Sequence, residues 1–142
     1  MPLVARVFLR TALLMLVAGI GIGAAGLAEP AWMTHERSVT HTHLLLVGWL
    51  INMVIGVAWW MFPRLPGTVA PVPWVFAGWA ALNGGLLLRV ALDLVGGGIA
   101  TAPAAVRWTS AALQLAGIVL LAALLWRRVR APSTQPRRPA DP

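Results

Sequence analysis

Apolar residues run through this chain in four long blocks, at about 7–28, 41–62, 74–95 and 104–126, separated by short polar, proline-rich or glycine-rich stretches. A helix of about twenty apolar residues, rising 1.5 Å each, crosses a hydrocarbon core roughly 30 Å thick. The pattern predicts an all-α fold, an integral membrane four-helix bundle running up-down-up-down over residues 1–130. The first connection, EPAWMTHERSVT at 29–40, places Trp32 at the membrane interface and Glu29, His35, Glu36 and Arg37 in water. The second runs from Pro63 to Pro73, where four prolines forbid a continued helix, and the third holds Gly96, Gly97 and Gly98. The basic, proline-rich tail at 131–142 is expected to be a disordered cytoplasmic segment.

The second block, HTHLLLVGWLINMVIGVAWWMF, carries the candidate chemistry. All three histidines, His35, His41 and His43, lie at or just before its start, Thr40 or Thr42 is placed to cap it, and Pro63 ends it. At 100° per residue, His41, Gly48, Asn52, Gly56 and Trp59 fall within about 80° of one another. His43, Val47, Leu50, Val54, Val57 and Met61 cover the opposite face. Polar groups in lipid need internal partners and close packing favours glycine, so the first stripe should face protein and the second lipid or another subunit. His41 is then the inward histidine and His43 the outward one.

The other blocks have fewer polar positions. In the first, Arg6 and Arg10 precede a run with Gly19 and Gly23 in GxxxG spacing, a candidate close-packing face; a signal peptide cleaved near Gly26-Leu27-Ala28 is the rival reading. In the third, Arg89 and Asp93 at i,i+4 can form an internally neutralised pair, and Gly78, Gly85, Arg89 and Gly96 share a face. In the fourth, Arg107, Ser110, Gln114 and Gly117 form a polar stripe, with Ser110 and Gln114 read as interhelical hydrogen-bond partners.

Composition narrows the chemistry. At 59% hydrophobic and 11% charged residues, the chain is too apolar for a soluble domain. Zero cysteines exclude disulfides, thiolate metal sites, cysteine-ligated clusters and covalent c-type heme from this chain. The formal charge of +7 comes from arginine without lysine, gathered mostly near the chain ends, which orients a membrane protein rather than marking a nucleic-acid partner. Counting arginines puts both termini and the 63–73 turn on the cytoplasmic side of a bacterial-type inner membrane. His41, Arg89, Asp93 and Arg107 then share one level near the outer surface.

THTHLLLVGWLINMVIGVAWWMFPR resembles the second helix of heme-copper oxidase subunit I, and more closely the small four-helix membrane proteins related to it that carry an HxHxxxxGW pattern. In that family a histidine near the outer end is an axial ligand of the low-spin heme, a glycine follows about fifteen residues later and a proline ends the helix; these features fall on His41, Gly56 and Pro63. The resemblance implies b-type heme with His41 on the iron, Gly48 and Gly56 making room for the macrocycle, and Arg89 or Arg107 pairing with propionates, for electron transfer or sensing of a diatomic gas. His43 completes the candidate cofactor-binding set. A sixth ligand could come from Met33, Met53, Met61 or a second copy of His41 in a homodimer. No histidine follows His43, so the remaining heme and copper ligands of the family are missing and the chain is not a complete oxidase. Two other readings stay open. One is a cofactor-free accessory or scaffold subunit of a respiratory complex, with His41 hydrogen-bonded inside the bundle. The other is a copper or zinc site built from His35, His41 and His43 with Glu36 or Met33, which converges only if the helix starts after the histidines. No nucleophile with an adjacent base, phosphate loop or carboxylate pair is present, so no catalytic residue is assigned. Asn52, Asp93, Ser110 and Gln114 are read as structural polar residues.

Overall fold

A computed structural model describes residues 1–62, 72–95 and 98–129. Four long helices carry almost all of them: α1 (Leu3–Ala28), α2 (His35–Met61), α3 (Val72–Val95) and α4 (Ala104–Trp126), with a single 3-10 turn at Pro30–Trp32. Each is long and apolar enough to cross a membrane, which makes this a multi-pass, all-α membrane protein. The Pro63 stop, most of the proline turn and the basic tail lie outside the described residues, as do Gly96 and Gly97.

Two element boundaries differ from expectation. The second helix begins at His35, not His41, because Thr34 caps it, its Oγ1 accepting the Arg37 N–H at 3.3 Å, and Glu36 suits the positive end of the first turn. Neither Thr40 nor Thr42 is the cap. A polar helical turn needs no hydrophobic run where it projects beyond the hydrocarbon, so apolar patterning alone misses it. Likewise α3 starts at Val72, with Pro73 in its first turn, where a missing N–H costs nothing.

Cross-helix contacts set the topology. Gly23 lies against His41 and Gly56 against Phe8, so α1 and α2 are antiparallel. Thr40 meets Asp93 and Asn52 meets Asn83, which reverses α3 against α2. Gly78 meets Leu121 and Gly85 meets Ser110, which reverses α4 against α3. The result is the expected up-down-up-down bundle.

The middle of α2, Leu44–Ile51, is a π-helical stretch with i→i+5 bonding. Each such turn takes in an extra residue, so positions four apart stay on one face. Thr40, Leu44, Gly48, Asn52 and Gly56 are all buried. The regular wheel correctly placed Gly48, Asn52, Gly56 and Trp59 inward and left Leu50, Val54 and Met61 exposed. It failed at Val47, which packs against the core, and at the histidine end, where Thr40 and Leu44 take the seam, His41 moves to one flank and His43 to the other.

Two groups of contacts hold the bundle's interior. In the middle, Asn52 (0% exposed) and Asn83 (3%) exchange amide hydrogen bonds of 3.0 and 3.1 Å. Each uses its remaining N–H on a carbonyl one turn back, Gly48 at 2.8 Å and Trp79 at 2.9 Å. A primary amide offers two donors and an acceptor, so the pair closes on itself with no water. Asn52→Leu is expected to lower unfolding stability in mixed micelles by roughly 1–2 kcal/mol, and adding Asn83→Leu should cost less than the sum, because the first change strands the partner amide. Additive losses would show that the two amides are not coupled. At the other end of the bundle, Arg128 donates to the Trp59 and Phe62 carbonyls at 3.0 and 3.1 Å and stacks on the Trp59 ring at 4.3 Å, capping the C-terminal end of α2.

Candidate functional site at the histidine end

The histidines lie within the first turns of α2 and are dealt to different neighbours. His41 is half-buried against α1: its Nδ1 is 2.7 Å from the Gly19 carbonyl, and its ring occupies the notch left by Gly23, where a Cβ would come within 2.8 Å of Cε1. The GxxxG pair is therefore a packing face, with the imidazole seated on Gly23 and the Leu45 side chain on Gly19. With Nδ1 as the donor, Nε2 carries the lone pair, and it has no hydrogen-bond partner among the described residues. His43 is also half-buried, its Nδ1 2.9 Å from the Val39 carbonyl one turn back, again leaving Nε2 unpartnered.

His43 is not on a lipid face. It lines a cavity of about 430 Å³ with Arg89, Arg107, Ser110 and Gln114. The arginines expected beside His41 are thus brought to His43, on the opposite flank of α2, because the π turn rotates both histidines off the seam. Arg107 also donates to the Ala100 carbonyl at 3.1 Å, while Ser110 donates to the Gly85 carbonyl at 2.8 Å and lies 3.3 Å from the Gln114 amide nitrogen. Those last contacts match the interhelical role read for Ser110, with Gln114 supporting it along α4.

Asp93, 2% exposed, is the polar hub behind this cavity. One carboxylate oxygen accepts the Ile99 N–H at 2.7 Å; the other accepts the Thr40 hydroxyl and stands 3.7 Å from Arg89 Nε. The expected i,i+4 pair is present, and the carboxylate also ties α2 and the α3–α4 connection together. Gly98 reaches this connection at φ +114° and lies directly against the Glu36 carboxylate, so a side chain there would be both strained and blocked. A smaller cavity of about 290 Å³ lies on the other side of Asp93, between it and residues 34–37.

Other candidates are placed away from any common centre. A Cβ on Gly48 would meet Met15 and Leu86 at 2.8 and 3.0 Å, and one on Gly56 would meet Phe8 and Leu9 at 3.1 and 3.2 Å. The room expected there for a macrocycle is filled by neighbouring helices. Met53 and Met61 lie about 18 and 30 Å along α2 from His41 at helical rise, too far to share its iron, whereas Met33 packs on Gly26, one turn from Gly23. His35, His41 and His43 do not converge, and among the described residues no three His, Cys, Asp or Glu side chains could hold a metal ion. The helix starts before the histidines, which removes the condition their convergence required.

Residue patterning had not singled out Thr40 as a partner for Asp93, nor the Asn83 amide as the mate of Asn52. The four-residue spacing of 40, 44, 48 and 52 was the available signal for Thr40; nothing local points to Asn83. Comparison with protein-family models, curated proteins and solved structures found no match to this chain.

Proposed function

We propose that the protein is a heme-copper oxidase subunit I-like membrane protein that binds b-type heme through an imidazole at the histidine end of α2, for electron transfer or sensing of a diatomic gas. One observation carries the reading. Both His41 and His43 hold Nδ1 on a backbone carbonyl and leave Nε2 unpartnered, which is how metal-ligating imidazoles are oriented. His41 is the ligand favoured by the resemblance, while His43 has the two arginines that would suit propionates. The filled notches at Gly48 and Gly56 keep a macrocycle out of the seam, so it would approach α2 from a flank, where a second copy could supply another ligand. A bound heme would supply one-electron chemistry or a gas-binding iron; the chain orients the imidazole and keeps the surroundings apolar. The arginine distribution supports an outward-facing histidine end.

The test is a reduced-minus-oxidised visible spectrum of protein purified in detergent from heme-sufficient cells. Wild type should show sharp α and Soret bands, and either His41→Ala or His43→Ala should abolish them while the other leaves them in place. A flat wild-type spectrum from folded protein would reject heme binding.

A second reading, an accessory subunit of a respiratory complex, is favoured by His41 acting as a helix-to-helix clamp and by the limited share of each span that the bundle itself buries. Copurification of a heme-free, folded chain with respiratory subunits would support it.

A further inference from the structure

We infer that the cavity between α2, α3 and α4 is a binding site for a phosphate monoester carried on a lipid headgroup, which takes the place of propionates there and leaves His41 as the imidazole open to heme. The observation behind it is a partly buried arginine whose buried Nε has no hydrogen bond. The Arg89 side chain is 17% exposed, and its one polar contact, Asp93, lies at 3.7 Å, beyond hydrogen-bond length. Its buried Nε has no partner, and among the described residues it is the one buried side-chain nitrogen or oxygen left so. A guanidinium carries five donors and cannot shed its charge, so leaving it dry is costly. Among the described residues every other buried side-chain nitrogen or oxygen has a hydrogen-bond partner, which marks Arg89 as awaiting acceptors from outside.

The cavity supplies the rest of a site. Arg107 gives one donor to Ala100 and retains the others. The Ser110 hydroxyl is engaged with Gly85, so what the two arginines leave unfilled is donors, and no carboxylate among the described residues lines this space. Asp93 offsets one guanidinium from behind, leaving a net positive lining. Two arginine forks on different helices need a ligand with more than two acceptor oxygens. One fork fills a carboxylate or the two non-bridging oxygens of a phosphodiester, whereas a phosphate monoester has three and can serve both. Trp108, 74% exposed in the second turn of α4, gives the cavity an apolar flank near the end of the span, where lipid headgroups begin. The volume of about 430 Å³ falls within the range of small-molecule sites.

The experiment follows thermal unfolding of the full chain, purified in phosphorus-free detergent and stripped of lipid, against three probes: dioctanoylphosphatidic acid, dioctanoylglycerol and inorganic phosphate. The phospholipid should give a saturable rise in midpoint that dioctanoylglycerol does not. Arg107→Gln should weaken its apparent affinity roughly ten- to hundredfold, the loss of charge-assisted hydrogen bonds. Arg107→Lys, which keeps the charge and loses the fork, should fall between, and it serves if Arg107→Gln does not fold. An equal response to inorganic phosphate would keep the phosphate site and assign it to the free ion. Equal shifts with the phospholipid and dioctanoylglycerol, or equal responses from wild type and both variants, would overturn the inference. So would a wild-type Soret band lost in Arg107→Gln with no response to either phosphate probe.

Discussion

Replacing Asp93 with alanine is expected to cost roughly 3–5 kcal/mol of stability, the range for removing one partner of a buried ion pair. Three groups lose their acceptor at once: the Ile99 N–H, the Thr40 hydroxyl and the Arg89 guanidinium. Deleting a carboxylate from a membrane interior relieves its own desolvation, but it leaves Arg89 charged and uncompensated, and the second effect dominates. Two companion variants separate the contributions. Thr40→Val removes one hydrogen bond and should cost about 1–2 kcal/mol. The double change Arg89→Leu with Asp93→Leu should be milder than Asp93→Leu alone, because it strands no charge. Unfolding of the purified protein in mixed micelles measures all of them. A wild-type-like Asp93→Ala would mean that the carboxylate does not tie α2 to the α3–α4 connection.

Gly117→Leu is expected to disrupt the α3–α4 hairpin, and even Gly117→Ala should cost roughly 1–3 kcal/mol, as overpacking does. A Cβ at this position would come within 2.5 Å of the Leu82 backbone nitrogen and 2.8 Å of the Gly78 carbonyl oxygen. Backbone cannot rotate out of the way as a side chain can, so the helices must separate. That would also move Ser110 from Gly85 and open the cavity shared with Arg89. Gly84, on the facing helix α3, has nothing within 4 Å of its Cβ position. Gly84→Ala is the control and should be neutral or slightly stabilising, since alanine restricts the unfolded chain more than glycine does. Thermal midpoints of the three variants decide the point. Equal behaviour of Gly84→Ala and Gly117→Ala would show that the close helix approach is not formed.

The candidate site was legible only in part. Arg89 with Asp93 could be read because the partners lie one turn away on the same helix, where spacing alone brings side chains together, and Ser110 was rightly expected to bond across helices, whereas Gln114 bonds back to Ser110 within its own helix. The Gly19–Gly23 notch was legible as a packing face, but not as the seat of His41, because nothing on α1 says which residue of another helix will arrive there. His43 was placed outward by a wheel that assumes 100° per residue, and the π stretch breaks that assumption one turn later. Arg107 was placed at the right depth and assigned the wrong imidazole for the same reason.

Hydrophobic run length, helix-breaking prolines and glycines and the distribution of arginines were enough to determine a four-span helical membrane protein, because transfer of backbone and side chains into lipid is a local, additive cost that each segment meets on its own. Which residues meet was decided by tertiary packing. The Asn52–Asn83 exchange, the Thr40–Asp93 bond, the divergence of His41 and His43, and the Arg89 Nε left without a hydrogen bond all depend on helix rotation and register. A shift of one residue in α2, introduced by i→i+5 bonding over Leu44–Ile51, is sufficient to reassign them.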